Sequence, residues 1–296
     1  MSIQTLEIQI LVENIAGPAG TLGENGFSAI VKASSIDSSP EIKILFDTGP
    51  SPIAFINNIK KLKIDLTDVN AIVLSHGHWD HVGGLKEAIS LAKRRTTTIA
   101  HPQTLSPKIF IDKGKTTDVG IQGFFESVED LKNQTDLITM TSPYRLTESI
   151  MTTGEVPHKN NYELLSGDLT KVTTVKDGKN IPDTLEDDLS LVFHMADDSV
   201  VILGGCCHSG IVNTIEKVIE LTDSNSIVGV VGGLHLHDAS DDRLSRTVKE
   251  LKKYPIRIMA PCHCTGLRGR CALSTTFERK FLDVSVSSII KFEAAK

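Results

Sequence analysis

The chain has 296 residues, of which 40% are hydrophobic and 23% are charged, a balance typical of globular proteins. Its 31 Lys and Arg residues against 37 Asp and Glu residues leave a formal net charge of -6, which disfavours broad binding to nucleic acid or to an anionic membrane. Composition therefore excludes membrane, fibrous and disordered classes and leaves the chemistry open.

The start of the chain and its cysteines predict a cytoplasmic protein. The first residues, MSIQ, lack the basic segment and apolar run of a secretory signal. Five cysteines form an odd number for a disulfide framework, so we expect reduced thiols. The expected partner is a small-molecule substrate, phosphorylated or not, with no nucleic acid and no membrane. Self-association into a homo-oligomer stays open.

Apolar runs in the first third of the chain predict strands with helices between them. The predicted strands are residues 6–12, 27–33, 42–46, 71–74 and 97–100, and the predicted helices are residues 53–59 and 85–93. From about residue 101 to residue 188 the pattern weakens, so we expect an irregular insertion or lid there.

The last third of the chain alternates strands with helices. The predicted strands are residues 189–194, 200–203, 227–231, 256–260 and 284–292, and the predicted helices are residues 211–221 and 244–253. No repeat or linker divides the sequence, so one α/β domain over residues 1–296 is expected. Early hairpins followed by this alternation predict two sheets covered by helices. A doubly wound Rossmann sheet competes, but no G-x-G-x-x-G follows the first strand.

The strongest chemical signal is the run HGHWDHVGG at residues 76–84, which directly follows a predicted buried strand. Residues two apart in an extended segment point to the same side, so His76 and His78 can share one ion. Asp80 and His81 come after a sharp loop and can face a neighbouring ion. Imidazole and carboxylate ligands suit zinc, iron, manganese or cobalt. The run therefore predicts a metal-binding loop.

Together with FDTG at residues 46–49, this run resembles the metallo-β-lactamase superfamily in motif order and spacing. Further segments resemble one subgroup, the β-lactamase superfamily II metal-dependent hydrolases, which includes dihydropterin ribofuranosylaminobenzene phosphate synthases. These segments are ENGFS (24–28), GEVP (154–157), GCCHSGIVN (205–213), GGLHL (232–236) and PCHCTG (261–266). The resemblance implies a four-layer αββα sandwich with metals at the strand ends.

The resemblance also implies a ligand set. The first two histidines of the run and a later histidine would hold one ion, while its aspartate, its third histidine and a last histidine would hold another. His208 and His263 match the subgroup's motifs, and each follows a predicted strand. We therefore expect two divalent transition-metal ions, with zinc first and manganese, iron or cobalt as alternatives.

Three further residues are candidates around these metals. Asp47 is expected to accept a hydrogen bond from a ligand histidine and so to orient it. His235 follows a predicted strand and is expected at the cleft edge, as a substrate contact or proton carrier, with a solvated loop as the alternative. Glu24 matches the subgroup's loop and is a candidate substrate contact, with a solvated hairpin as the alternative.

The cysteines near the later histidines are interpreted mainly as packing. The superfamily often supplies a bridging aspartate in a Gly-Asp pair after the strand that here ends in Gly204-Gly205, and Cys206 follows instead. A bridging carboxylate is therefore in question. A zinc site formed by Cys206, Cys207, Cys262 and Cys264 is a rival interpretation, but C-x-C is unlike the usual C-x₂₋₄-C knuckle. Free cysteines are commonly buried, which favours packing.

These residues predict a metal-dependent hydrolase acting on an ester, lactone or phosphoester. Metal ions about 3.5–4 Å apart can activate water and neutralise charge on a substrate oxygen. Asp80 would be both a ligand and the orienter of the water, in a mononuclear or dinuclear centre. The subgroup implies an alternative, a transferase that condenses a pterin methyl diphosphate with an aryl-ribosyl phosphate. A non-enzymatic metal-binding sensor is a third reading, against which the complete ligand set argues.

Overall fold

The computed structural model describes residues 2–35, 40–92, 95–176 and 178–295, which form sixteen strands in three sheets. The strands are β1 (Ile3–Val12), β2 (Ser28–Ser35), β3 (Ile42–Phe46), β4 (Ala71–Val73), β5 (Thr97–Ala100), β6 (Lys108–Asp112), β7 (Lys115–Asp118), β8 (Asp136–Thr139), β9 (Ile150–Thr152), β10 (Val172–Lys176), β11 (Lys179–Pro182), β12 (Ser190–His194), β13 (Val200–Gly204), β14 (Ile227–Gly233), β15 (Ile258–Cys262) and β16 (Ile289–Glu293).

The described residues also form seven α-helices and five short 3₁₀ turns. The helices are α1 (Pro52–Leu62), α2 (Trp79–Val82), α3 (Leu85–Leu91), α4 (Val128–Gln134), α5 (Ile211–Thr222), α6 (Asp241–Leu251) and α7 (Gly266–Phe277). The 3₁₀ turns are Pro102–Leu105, Ile121–Gly123, Gly167–Lys171, His263–Thr265 and Glu278–Lys280. Among these residues, no helix is both long enough and apolar enough to cross a membrane.

The first sheet has seven strands in the order β16-β1-β2-β3-β4-β5-β8. Its pairs are antiparallel from β16 to β3 and parallel from β3 to β8. Phe46 of β3 pairs with Val73 of β4, so these two parallel strands end at one level. Asp47 and the histidine run follow these two ends, so the sheet brings them to the same edge.

The second sheet has five strands in the order β15-β14-β13-β12-β9. It is antiparallel from β9 to β13 and parallel from β13 to β15. Gly232 of β14 pairs with Gly204 of β13 and with Pro261 of β15, so the three parallel strands end together. The segments that carry His208 and His263 therefore leave this sheet at one edge.

Buried apolar side chains form three clusters, which fill the spaces between four layers. One cluster lies between the two sheets, where the rings of Phe27 and Phe46 meet edge to face at 6.3 Å. A second cluster lies between the second sheet and helices α5, α6 and α7, and a third joins the first sheet to α1 and α3. This order of layers is the αββα sandwich, so the predicted fold class is confirmed.

Most predicted elements appear within a few residues of their expected bounds. The helix predicted over residues 85–93 is α3, and its predicted end at Lys93 lies outside the described residues. The strand predicted over residues 256–260 is shifted to β15. Pro261 lacks a backbone donor and interrupts the sequence pattern, yet β15 lies at the edge of its sheet, where proline is tolerated.

The segment predicted as an irregular insertion over residues 101–188 is more regular than expected. Strands β8 and β9 within it belong to the first and second sheets. Strands β6, β7, β10 and β11 form a separate four-stranded sheet, which we call the lid sheet. All four residues of β7 are exposed, so this strand has no alternation of buried and exposed residues that would reveal it in the sequence.

Candidate metal centre

The histidine run leaves β4 as an extended segment and then turns into α2. His78 has φ of -72° and ψ of 144° and is the N-cap of α2, which begins at Trp79. This extended backbone places Nε2 of His76 and Nδ1 of His78 3.0 Å apart, as expected for residues with i, i+2 spacing. Asp80 and His81 follow within the helix.

The first group of candidate ligands is His76, His78 and His208. Nε2 of His208 lies 3.2 Å from Nε2 of His76, and the donor atoms of all three residues lie within 4.8 Å of one another. All three side chains are buried. A tetrahedral ion with bonds of about 2.0–2.1 Å to nitrogen holds its ligand atoms roughly 3.3 Å apart, so the spacing of this group suits one ion.

The second group of candidate ligands is Asp80, His81 and His263. Nε2 of His81 lies 3.2 Å from Nε2 of His263, and Oδ2 of Asp80 lies 3.5 Å from the same atom of His263. His81 follows a strand of the first sheet and His263 follows a strand of the second. This group therefore forms only when the two sheets pack together.

A buried carboxylate orients two of these histidines. Asp47 Oδ2 accepts hydrogen bonds from Ser75 Oγ and from His81 Nδ1, both at 2.7 Å, while Oδ1 accepts from the Ser75 backbone N–H at 2.7 Å. The single hydroxyl proton of Ser75 goes to Asp47, so Ser75 Oγ accepts from His76 Nδ1 at 2.9 Å. Both histidines therefore carry a proton on Nδ1 and direct Nε2 toward the candidate centre, where it presents a lone pair when the ring is neutral.

His263 is oriented in the same way from another part of the chain. Its Nδ1 donates to Asn14 Oδ1 at 2.9 Å, and Asn14 also accepts from the backbone N–H of Gly26. The backbone N–H of His263 donates to Glu13 Oε1 at 2.9 Å. Nε2 of His263 is consequently an acceptor that faces Nε2 of His81.

The proton arrangement supplies a test of whether these residues fit a metal ion. Nε2 of His81 and Nε2 of His263 face each other at 3.2 Å, so a proton on the charged ring of His81 or a metal cation must lie between them. In the first group, Nε2 of His76 likewise faces Nδ1 of His78 at 3.0 Å and Nε2 of His208 at 3.2 Å. Nitrogen and carboxylate oxygen are also the donors that divalent transition metals prefer. The residues fit such an ion.

The electrostatic environment also favours positive charge between the two groups. Burial lowers the pKa of His76, His208 and His263 well below the usual range, with further lowering by neighbouring imidazoles, so these rings are neutral. Burial acts in the same direction on His81, but the carboxylates of Asp47 and Asp80 outweigh it and raise the pKa to about 9. The carboxylates thus stabilise a cation at His81 Nε2.

A buried ion pair holds the metal-binding loop against the segment that carries the lid sheet. The Gly77 backbone N–H donates to Asp187 Oδ2 at 2.8 Å, and a side chain at Gly77 would collide with the backbone of Thr104. Lys108 Nζ lies 3.0 Å from Asp187 Oδ1 and 2.6 Å from Asp183 Oδ2, with all three side chains buried. The glycine between the two ligand histidines is thereby fixed by a satisfied charge cluster.

The interpretation of the cysteines as packing holds for some of them and misses one. Cys207 Sγ lies 3.9 Å from Ser190 Oγ, in the cluster beneath the second sheet, and Cys262 lies between the sheets. Cys206 Sγ instead lies 3.2 Å from Nε2 of His81, inside the candidate centre. The signal in the sequence was the position of Cys206, where the superfamily often places its bridging aspartate.

A cavity of about 450 Å³ opens over the two groups. Asp80, His78 and both later ligand histidines line its floor. Phe110, Val119 and Val172, from the lid sheet and its flanks, line it together with Trp79. A volume of this size suits a small molecule. The lid segment therefore supplies an apolar wall opposite the candidate ligands.

His235 faces this cavity as the sequence suggests. It is buried, and neither of its ring nitrogens has a hydrogen-bond partner among the described residues. Its φ of 42° places it in the left-handed region, which is uncommon for a residue with a side chain. Burial, with a further contribution from His237, lowers the pKa of His235 to about 3, so the ring is neutral.

Glu24 is placed differently from the expectation of a substrate contact. Its carboxylate accepts hydrogen bonds from Ser51 Oγ at 2.7 and 2.9 Å, at the start of α1, and Glu24 is not among the residues that line the cavity. Asn25, the next residue, lines the cavity together with Asn14. The serine hydroxyl draws the acidic side chain toward the helix, which leaves the neighbouring amide to face the centre.

Comparison with known proteins finds a family model and two relatives that match most of the chain. The model of the metallo-beta-lactamase superfamily matches residues 36–263. The chain is 27% identical to the 7,8-dihydropterin-6-methyl-4-(beta-D-ribofuranosyl)-aminobenzene-5'-phosphate synthase of Methanocaldococcus jannaschii, over 98% of each chain. It is 34% identical to the uncharacterized protein MJ0448 of the same organism, over 90% of this chain and 93% of that one.

A solved structure shares most of the fold. The crystal structure of Tm1679, a metal-dependent hydrolase of the beta-lactamase superfamily, superposes with a TM-score of 0.79 and 26% identity, covering 97% of this chain and 99% of that chain. The protein described here belongs to the metallo-beta-lactamase superfamily, whose members usually bind divalent metals. The family resemblance of the sequence is confirmed.

Replacing Asp47 by asparagine should weaken metal binding without abolishing folding. The amide would present its NH₂ group to one of the donors that now point at the carboxylate, so His81 would lose its orientation. Loss of such an orienting partner typically costs about 10- to 100-fold in metal affinity. Competition with a chromophoric chelator measures this affinity.

Asp198→Asn is a matched control for Asp47→Asn. Asp198 Oδ1 accepts from His194 Nε2 at 2.6 Å in another Asp–His pair, on the hairpin between β12 and β13 and outside the centre. Its metal affinity should equal that of the unmodified protein. Equal affinities in both variants would contradict the orienting role of Asp47.

Proposed function

We propose that this protein is a metal-dependent hydrolase with a mononuclear or dinuclear centre, acting on an ester, lactone or phosphoester. The observation that carries the proposal is the convergence of histidine ring nitrogens at the floor of a cavity sized for a small molecule. Neighbouring nitrogens lie 3.0–3.2 Å apart. The first group would hold one ion and the second group another. Zinc fits these donors first, with manganese, iron or cobalt as alternatives.

Asp80 would combine two roles in this reaction. Divalent ions held by the two groups would supply Lewis-acid stabilisation of a substrate oxygen and would acidify water. Asp80 lines the cavity, and its second oxygen would accept a hydrogen bond from the attacking water and orient it. Burial raises the pKa of Asp80. A bound cation would favour its charged form, which is the form that accepts a proton.

His235 would act as a hydrogen-bond donor to the substrate. A neutral imidazole carries one N–H, and neither ring nitrogen of His235 has a hydrogen-bond partner among the described residues. It lies beside His208, with ring centroids 4.4 Å apart, so it reaches the part of the cavity next to the first group. A donor there would stabilise negative charge that develops on the substrate during bond cleavage.

The charges around the cavity favour the hydrolase over the transferase. Of the described residues that line the cavity, none is a lysine or an arginine, and the carboxylates of Asp80 and Asp168 are both present. Nearby, Lys171 Nζ is paired with Asp112 and Asp168. A substrate with a phosphate group away from the metals would find no free side-chain cation in this lining. A substrate with one oxyanion at the metals and an otherwise neutral or apolar body suits this lining better.

The transferase stays as a second candidate because a specific observation supports it. The relative named as a dihydropterin ribofuranosylaminobenzene phosphate synthase aligns over 98% of each chain. Such a reaction would use the same two groups to stabilise a diphosphate leaving group. A metal-binding sensor, the third reading, has no observation in its favour beyond the centre itself.

Metal analysis tests the centre. The purified protein should contain about one to two equivalents of transition metal per chain, and His76→Ala or Asp80→Ala should lower this content sharply because each removes a donor. His158→Ala, an exposed histidine outside both groups, is the control and should retain its metal. Full metal content in both ligand variants would remove the basis for the site.

Two panels of substrates separate the reactions. Esters, lactones and phosphodiesters test the hydrolase, and a pterin methyl diphosphate with an aryl-ribosyl phosphate tests the transferase. We expect turnover in the first panel, lost in the metal-free protein and restored by zinc. Turnover confined to the second panel would replace the hydrolase by the transferase, and turnover in neither would favour the sensor.

His235→Ala should reduce kcat by about 100-fold or more while leaving metal content unchanged, because it removes a donor needed in the transition state. KM should change much less. Steady-state kinetics on the best substrate of the panels, with metal analysis of the same sample, measures both. His194→Ala, on the distant hairpin, should match the unmodified protein, and an unchanged kcat in His235→Ala would rule out the proposed donor.

A further inference from the structure

The thiol of Cys206 lies where the two groups of candidate ligands meet. Its Sγ is within 4.8 Å of a donor atom of His76 and His81, and likewise of His208 and of His263. His76 and His208 belong to the first group, and His81 and His263 belong to the second. Among the candidate ligands that the structure describes, Cys206 therefore contacts both groups from one atom.

Local sterics explain how the second sheet delivers this sulfur. Gly205 precedes Cys206, and a side chain at Gly205 would collide with Ser75 Oγ and approach Asp47 Oδ2. The missing side chain lets the end of β13 come against the network that orients the histidines of the first sheet. Cys207 then adopts φ of 51°, which turns its own sulfur away toward Ser190.

The proton arrangement at Cys206 is suited to replacement by an ion. Nδ1 of His81 donates to Asp47, so Nε2, which lies 3.2 Å from Cys206 Sγ, is the nitrogen left to share a proton or an ion with the thiol. A metal–sulfur bond of about 2.3 Å and a metal–nitrogen bond of about 2.0–2.1 Å place the two ligand atoms roughly 3.5 Å apart in a tetrahedral site. The observed distance is close to that spacing.

We propose that Cys206 is a thiolate ligand shared by both metal positions, at the point in the chain where the superfamily often supplies a bridging aspartate. The inference rests on the proposed metal centre. When an ion binds, the S–H bond breaks, the proton passes to solvent, and a sulfur electron pair forms the bond to the metal. A soft thiolate selects zinc, cobalt or iron over manganese and magnesium, so it also narrows the metals that the centre accepts.

Cys264 is the rival sulfur, because its Sγ also lies within 4.8 Å of a donor atom of His263 and of Cys206 Sγ. Its hydrogen bonds, however, go to the backbone: Sγ accepts from the His235 N–H at 3.3 Å and donates to the Cys206 carbonyl oxygen at 3.7 Å. Both contacts hold the loops after β13 and β14 together. Cys264 thus has a structural use that does not need a metal, whereas Cys206 Sγ lies 3.2 Å from Nε2 of His81.

Cobalt substitution of the full-length protein tests the proposal by spectroscopy. The Co²⁺-loaded protein should show a near-ultraviolet sulfur-to-cobalt charge-transfer band, which Cys206→Ser should lose together with at least about 10-fold of its cobalt affinity. Cys206→Asp should lose the band and still bind two ions, since a carboxylate can bridge them. Cys207→Ser, the buried neighbour that faces away, should keep the band.

The other outcomes are equally decisive. A band that persists in Cys206→Ser, or that is lost only in Cys264→Ser, would overturn the assignment of Cys206. Two bound cobalt ions without any such band in the unmodified protein would overturn it too, while leaving the metal centre itself intact. Failure of the unmodified protein to bind cobalt would instead overturn the metal centre and the hydrolase with it.

Discussion

The carboxylate of Asp47 is the constraint on which the candidate centre depends. It is fully buried, and it is satisfied by the backbone and hydroxyl of Ser75 and by the ring of His81. A buried carboxylate without such donors would be costly, so these groups are held in one arrangement. That arrangement directs Nε2 of His76 and of His81 toward the candidate centre, where both can serve as metal ligands.

The packing of the two sheets completes what Asp47 begins. His81 belongs to one sheet and His263 to the other, and their ring nitrogens come within 3.2 Å only at the edge where the parallel strands of both sheets end. Gly205 permits this approach, because a side chain there would collide with Ser75.

The segment that carries the lid sheet also helps to position the candidate centre. Lys108 and Asp187 are buried partners, and Asp187 holds the backbone of Gly77 between two ligand histidines. Asp187 lowers the cost of burying Lys108, since burial alone would lower the lysine pKa and the carboxylates outweigh this effect. The segment over residues 101–188, which the sequence predicts to be irregular, thus helps to position the histidine run.

The sequence by itself determined most strands and helices and the histidine run, because apolar periodicity and ligand spacing are local properties of the chain. The four-layer fold followed from the resemblance of its motifs to the metallo-β-lactamase superfamily. Helix α7 escaped prediction because its buried stripe includes Gly269, which weakens the apolar pattern before Leu273 and Phe277. Only the tertiary structure decided that Cys206 faces the candidate centre and Cys207 the core, and that Asn25 rather than Glu24 faces the cavity. In both pairs, adjacent residues differ in the direction of their side chains. Contacts with distant parts of the chain set that direction, so the local sequence does not reveal it.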